Sequence, residues 1–343
     1  MVHKSAITIG TVEIEEVVHA MNNSWKLVNF KQIDQGIVNS VYELTVEPDK
    51  HLILKIGNPL WDSWKVENEV LGLRLIGQMA ESVPTPRVLS VDTSKRILPY
   101  SYFVMEKLPG SSLQSLINQL PLDDFIKIVR NLAVYLKRIH DIGFPRFGAL
   151  GQNTFLQVED MVTIKQRSPT TFAGPYNFLR EYYAAFVEAR WQNVQNSKLK
   201  REAEILCKFI RGHLHLLDGG TEASLVHGDF QPSNIIVQGS TVTGLIDCEW
   251  VHAGCGEAEW FVARQRLLAD ISDHTRKNIC AEEFDVWCGV LDLEQYHQRC
   301  KIYDADDCLI SIEALPSLTY GMDTDRARQV EDRIRARVGA LFL

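Results

Sequence analysis

A short β island inside an otherwise helical half most restricts what this chain can fold into. It runs Leu225-Val226-His227-Gly228-Asp229-Phe230-Gln231-Pro232-Ser233-Asn234-Ile235-Ile236-Val237 and continues from Thr241 to Asp247. Ile235 to Val237 read as a strand, Gln238-Gly239-Ser240 as a turn, and Val242 to Ile246 as the returning strand. Pairing Asn234 with Asp247 centres this hairpin on the Ser240–Thr241 bond and brings an amide and a carboxylate to one open end. Around the island the periodicity predicts helices at 112–119, 122–141, 175–196, 199–217, 257 to about 300, and 324–340.

The preceding residues are β-rich. Ile14, Val17, Val18 and Met21 mark a helix over 11–22, and strands are expected at Trp25 to Ile33, Val41 to Val46, His51 to Ile56 and Tyr100 to Met105. A helix over 62–79 carries Val66, Val70, Leu73 and Ile76 on one face, and the stretch from Val83 to Leu89, with Pro84 and Pro86, ends it. Lys107-Leu108-Pro109-Gly110-Ser111-Ser112 punctuates the change from β-rich to helix-rich sequence. The expected division is an N-terminal lobe over 1–109 and a helical lobe over 110–343.

Charge and cysteine content narrow the function. The 343 residues carry a net charge of −8, which argues against a nucleic-acid binder that works by neutralising phosphates. No apolar run reaches the length of a membrane span and no leader pattern opens the chain, so a cytoplasmic protein without a membrane partner is expected. The seven cysteines form no CxxC pair, so reduced thiols are the default. Cys248, His252 and Cys255 lack a fourth ligand at zinc-finger spacing.

The hairpin's open end, with Asp229 five residues before Asn234, suits Mg²⁺ and phosphate. Mg²⁺ takes oxygen ligands and binds through one or two carboxylates together with substrate phosphates. Asp229, in the loop, would accept a proton from an incoming hydroxyl. That division fits phosphoryl transfer, which needs positioning and charge neutralisation more than covalent chemistry from the protein.

His227-Gly228-Asp229, Asn234 and Ile246-Asp247, in this order, resemble the catalytic-loop and metal-loop motifs of the aminoglycoside phosphotransferase and choline kinase family. These are small-molecule kinases, and the resemblance implies an α+β, bilobal, protein-kinase-like fold with a β-rich N-terminal and a mainly helical C-terminal lobe. It also implies ATP and Mg²⁺, with Asp229 as catalytic base and Asn234 and Asp247 as metal ligands. Lys55, ending an apolar run on the third strand, matches the lysine that contacts the α- and β-phosphates. Glu67, three residues before Val70-Leu71, matches its helical partner and is preferred over Glu69 on the family pattern.

Gly36-Ile37-Val38-Asn39-Ser40 resembles the nucleotide loop, so Gly36, Asn39 and Ser40 are expected against the phosphates. Tyr102 to Gly110 resembles the hinge, where the carbonyl of Glu106 and the N–H of Leu108 would bond the adenine edge. Gly256-Glu257-Ala258-Glu259-Trp260-Phe261 resembles the segment after the metal loop, with Phe261 where an aspartate is usual. That departure bears on the hydrogen bonds supporting the catalytic loop. Glu249 and Trp250, just past Asp247, are candidates for contact with the acceptor.

The acceptor is a small-molecule hydroxyl compound whose identity the motifs leave open. Residues 281–308 carry eight carboxylates (Glu282, Glu283, Asp285, Asp292, Glu294, Asp304, Asp306 and Asp307) against Arg299 and Lys301. Facing the acceptor site, they would suit a cationic substrate such as an aminoglycoside; facing solvent, they would be an ordinary charged surface. Kinases for sugars, amino-alcohols, homoserine or macrolides stay open. So do a catalytically silent nucleotide-binding regulator and a protein kinase, the latter weakened by the missing GxGxxG, Asp-Phe-Gly and Ala-Pro-Glu signals.

Overall fold

The computed structural model describes residues 7–35, 39–59, 64–150, 174–195, 197–218, 222–288, 293–319 and 322–342. Its first element is helix α1 (Thr11–Met21), followed by strands β1 (Lys26–Gln35), β2 (Asn39–Glu47) and β3 (Lys50–Gly57), helix α2 (Trp64–Met79), and strands β4 (Val88–Asp92) and β5 (Tyr102–Glu106). The strands form an antiparallel sheet in the order β1-β2-β3-β5-β4. β4 was not expected from the sequence; it starts two residues after Pro86 and takes a sheet edge, where a nearby proline costs no ladder bond.

Both faces of this sheet are covered, which explains why residues 52–57 of β3 are buried without alternation. Leu52, Leu54 and Ile56 join Ile14, Val17 and Val18 of α1 in one core, while Ile53 joins Val66, Val70, Leu73 and Ile76 of α2 in the other. Because successive side chains of a strand point to opposite faces, Lys55 shares the face of Ile53 and is aimed at α2.

The chain then passes through Gly110, whose φ of +114° and approach to Val237 leave no room for a Cβ, which would lie 2.1 Å from the Val237 carbonyl oxygen. Next come β6 (Ser111–Ser112), α3 (Leu113–Leu116), α4 (Leu122–His140), β7 (Gly143–Phe144), α5 (Leu179–Asn193), α6 (Lys200–His213), β8 (Ala223–Val226), β9 (Ile235–Gln238), β10 (Thr241–Leu245) and β11 (His252–Gly254). Strands β10-β9-β6 and β11-β8-β7 make two small sheets.

The predicted run from 257 to about 300 is three helices: α7 (Gly256–Asp270), α8 (His274–Cys288) and α9 (Leu293–Leu318), followed by α10 (Thr324–Ala340). Asp273 makes the first break by accepting the N–H of Arg276 at 2.7 Å, an N-terminal cap that periodicity alone did not reveal. No helix among the described residues is long and apolar enough to cross a membrane.

The hairpin β9–β10 also departs from the expected register. Gln238 pairs with Thr241 and Val237 with Val242, but a bulge at Thr243 shifts the ladder so that Ile236 faces Gly244 and Ile235 faces Leu245. Asn234 is therefore opposite Ile246, which donates its N–H to the Asn234 carbonyl at 3.0 Å, and Asp247 comes one residue later. The bulge frees Thr243 to donate its hydroxyl to the Pro109 carbonyl at 2.7 Å, tying the hairpin to the segment that leads out of the large sheet.

Candidate active site

Lys55 meets α2 through Glu69, which corrects the expected pairing with Glu67. Its Nζ lies 2.9 and 2.7 Å from the two Glu69 carboxylate oxygens and 2.6 Å from Asp247 Oδ1. The reason is the helix period of 3.6 residues. Glu69 lies on the stripe of Val66, Val70, Leu73 and Ile76 that packs on the sheet, whereas Glu67 is turned out of it and is the least buried of residues 64–70. The same stripe in the sequence would have chosen correctly. Burial works against the charge on Lys55, but Asp247 and Glu69 outweigh it and raise its pKa. Glu69→Gln is expected to weaken what Lys55 holds about 10- to 100-fold by loosening a charge-assisted bond, with Glu67→Gln within about 3-fold of wild type; nucleotide-binding titrations on the two variants check this.

Asp247 leaves the hairpin with a left-handed φ of 65°, turning its carboxylate toward Lys55. Burial raises the pKa of Asp247, and the Lys55 charge more than offsets it, so the carboxyl is held below its ordinary value. Glu249, two residues on, is buried and accepts from Lys65 Nζ at 2.7 Å and from Asn39 Nδ2 at 2.9 Å. Asn68 donates to the carbonyls of Glu249 and Val251, both at 2.9 Å, so α2 is fastened to the metal loop at several points.

Carboxylate oxygens of Glu69, Asp247 and Glu249 lie within 4.8 Å of one another. This all-oxygen set, with the amide of Asn234 nearby in the fold, fits a hard divalent cation such as Mg²⁺. Sequence reasoning missed Glu69 here; Glu249, a candidate there for contact with the acceptor, is bonded to Asn39 and Lys65. Cys248, His252 and Cys255 form no metal cluster among the described residues, and His252 Nε2 is 3.0 Å from the Tyr182 hydroxyl instead.

The loop between β8 and β9 holds Asp229. Gly228 adopts φ +81°, and a Cβ there would lie 2.4 Å from the Trp250 carbonyl oxygen, so the catalytic and metal loops touch because this residue has no side chain. His227 Nδ1 accepts the Asp229 N–H at 3.3 Å while its Nε2 lies 3.1 Å from the Ile246 carbonyl. The imidazole thus braces one loop against the other.

The loop is held from behind by Glu259, whose carboxylate accepts the N–H groups of His227 at 2.9 Å and Gly228 at 2.6 Å and lies 2.9 Å from His140 Nε2. Support that the change to Phe261 put in question thus comes from a carboxylate two residues earlier. Asp229 Oδ2 accepts from Gln231 Nε2 and Asn234 Nδ2, both at 2.8 Å. Asn234 Nδ2 also reaches the Asp229 carbonyl at 2.9 Å, while its Oδ1 accepts the Ser233 hydroxyl at 3.2 Å and keeps a second lone pair. Arg266 Nη1 lies 2.6 Å from Asp229 Oδ1, a contact that no motif in the sequence announced.

The remaining expected residues divide. Asn39 joins the site through Glu249, but Ser40 faces the opposite side of β2, where its buried hydroxyl accepts the Ile7 N–H at 3.1 Å. The alternation along β2 separates the two neighbours. Gly36 lies outside the described residues. Glu106 ends β5 and takes a side-chain bond from Arg87 Nε at 3.0 Å, and Leu108 packs against Gly244 of β10. Trp250 has Lys65 Nζ 4.1 Å from its ring centroid and meets Trp64 edge-on.

The sequence profile of the phosphotransferase enzyme family matches residues 29–256. The chain belongs to this family. Its fold is shared by a thermostable mutant of the aminoglycoside phosphotransferase APH(4)-Ia in ternary complex with AMP-PNP and hygromycin B, with a TM-score of 0.67 and 15% identity over 96% of this chain and 98% of the other. The GDP and kanamycin complex of APH(2")-IIIa matches with a TM-score of 0.64 and 14% identity over 96% and 99%. At such identities the likeness establishes the fold, which is that of the protein-kinase-like phosphotransferases.

In this phosphotransferase five of the eight carboxylates of the acidic stretch are paired with arginines. Glu283 pairs with Arg130, Asp285 with Arg264, Asp304 with Arg337, Asp306 with Arg190, and Asp307 with both Arg266 and Arg337. Glu282 is exposed, and the side chains of Asp292 and Glu294 are outside the described set. Counting charge along the sequence showed a local surplus because every one of these arginines lies outside residues 281–308.

Proposed function

We propose that this phosphotransferase moves the γ-phosphate of ATP to a hydroxyl of a small molecule with the help of Mg²⁺. The observation that carries this reading is the Lys55, Glu69 and Asp247 cluster together with a loop that bonds Asp229 to Asn234, whose carbonyl accepts the N–H of Ile246 next to Asp247. Asp229 accepts the proton of the acceptor hydroxyl as its oxygen attacks the γ-phosphorus, and ADP leaves. Lys55 holds the α- and β-phosphates; a phosphate oxygen that takes the place of Asp247 on Nζ frees that carboxylate. Asn234 and Asp247 hold Mg²⁺, with Glu249 as a further oxygen donor, and when bound the ion neutralises charge on the phosphates. Glu106 and Leu108 serve the adenine at a hinge between residues 1–109 and 110–343, and Gly36 with Asn39 covers the phosphates.

The reading of an aminoglycoside or similar cationic sugar as acceptor is supported by the fold shared with proteins that bind hygromycin B and kanamycin. The arginine pairing of Glu283, Asp285, Asp304, Asp306 and Asp307 takes their charge out of this argument, so neutral sugars and amino-alcohols belong in the same test. ADP release from ATP and Mg²⁺ in the presence of each acceptor is the experiment. Stimulation by one of them identifies the class, and nucleotide binding without stimulation by any returns the chain to a silent regulator.

A further inference from the structure

The two oxygens of Asp229 are held by different means. Oδ2 takes two donors from its own loop, Gln231 and Asn234, while Oδ1 takes Arg266. Donors on Oδ2 alone would leave the carboxylate to swing about that atom. The guanidinium on Oδ1 fixes its plane and still leaves that oxygen a second lone pair for an acceptor hydroxyl.

Arg266 sits on α7 seven residues after Glu259, two helical turns along the same face. Both therefore face the catalytic loop, one holding its backbone and the other its carboxylate. Arg266 is itself anchored: Nη2 lies 3.3 Å from Asp307 Oδ1 on α9, Asp307 Oδ2 accepts from Arg337 Nη1 on α10 at 2.7 Å, and Arg337 Nε reaches Asp304 at 2.9 Å. Asp307 is buried. An alternating row of charges thus runs from the base into helices that lie beyond the family match, which ends at residue 256.

We propose that Arg266 is the positioning residue of the catalytic base, and that α9 and α10 serve the chemistry through Asp307 and Arg337. The proposal rests on the kinase reading above. A lysine at 266 keeps the charge but presents one nitrogen where the guanidinium presents two, so it restores part of the function and a neutral glutamine restores none.

The test uses the full chain with Arg266→Lys, Arg266→Gln, Asp307→Asn and the Arg266→Gln/Asp307→Asn double variant. ADP release from ATP and Mg²⁺ is followed with the best acceptor of the panel, or with water alone if none stimulates, together with Tm. A misplaced reacting group costs on the order of 100-fold. Arg266→Gln is expected to lower kcat about 30- to 100-fold with KM for ATP within about 2-fold, Arg266→Lys to lose less than about 10-fold, and Asp307→Asn to lie between them. The double variant is expected to lose no more than Arg266→Gln alone, because Asp307 acts through Arg266. A folded Arg266→Gln protein with kcat within about 2-fold of wild type overturns the proposal and leaves the kinase reading standing. So does a kcat for folded Arg266→Lys as low as that for Arg266→Gln. A wild-type protein that binds ATP and Mg²⁺ but releases no ADP in any arm removes the kinase reading, and this proposal with it.

Discussion

Asp229→Asn is expected to lower phosphate transfer by about 10²- to 10⁴-fold, the range that a positioned general base contributes, while the KM for ATP stays near wild type. Asparagine keeps the shape of aspartate but cannot take up the acceptor's proton. The nucleotide side keeps its contacts, because Lys55, Glu69 and Asp247 bond to one another. The loop itself should survive: the backbone of His227 and Gly228 remains on Glu259, and the His227 imidazole remains between Asp229 N–H and Ile246. Steady-state kinetics with a Tm measurement separates this from unfolding, since the account predicts a collapse in kcat in a protein that still folds, with Tm lowered where the new amide meets the donors of Arg266, Gln231 and Asn234.

Lys55→Met is expected to be the other severe change, and its signature is different. Methionine fills the space but leaves the buried carboxylate of Glu69 and the half-buried one of Asp247 without the ammonium that both contact. Removing one partner of a buried ion pair typically costs about 3–5 kcal/mol of stability, so Tm should fall together with kcat/KM for ATP. Adding Glu69→Gln removes one of the stranded charges and should recover part of that Tm without recovering activity. A coupling of about 1 kcal/mol or more in the double-mutant cycle, read by denaturant unfolding, is the expected result. Strict additivity would contradict the ion pair.

What the sequence made legible was local, and what it concealed was set by packing. The catalytic loop and the hairpin lie within residues 225–247, so a turn, two apolar strands and the polar residues between them could be placed before any tertiary contact was known. Lys55 was legible for the same reason, as a charge ending an apolar strand. Choosing between Glu67 and Glu69 depended on which face of α2 meets the sheet, and the apolar stripe held that answer although the family pattern pointed elsewhere. Ser40 points away from Asn39 because adjacent strand residues face opposite ways, so a loop motif that continues into β2 cannot present both side chains on one face.

The acidic stretch was misleading for a physical reason. Ion pairing depends on distance in space, and Asp307 finds Arg266 and Arg337 from helices 41 and 30 residues away along the chain. Arg266 was invisible on the same ground: nothing in the spacing of α7 says that its guanidinium reaches Asp229. The hairpin turns at Gly239-Ser240, two residues off the expected register, and the bulge at Thr243, fixed by its contact with Pro109, brings one of the two back.

The central claim is that Asp229 serves phosphate transfer from ATP to a small-molecule hydroxyl. Its most direct test is to incubate the protein with γ-³²P-labelled ATP, Mg²⁺ and a panel of kanamycin, hygromycin B, neutral sugars and amino-alcohols, and to follow the label. The account predicts label in a phosphate monoester of at least one acceptor with the wild-type protein and its near absence with Asp229→Asn. Label that stays in ATP with every acceptor while the nucleotide binds, or transfer by Asp229→Asn at the wild-type rate, would contradict it.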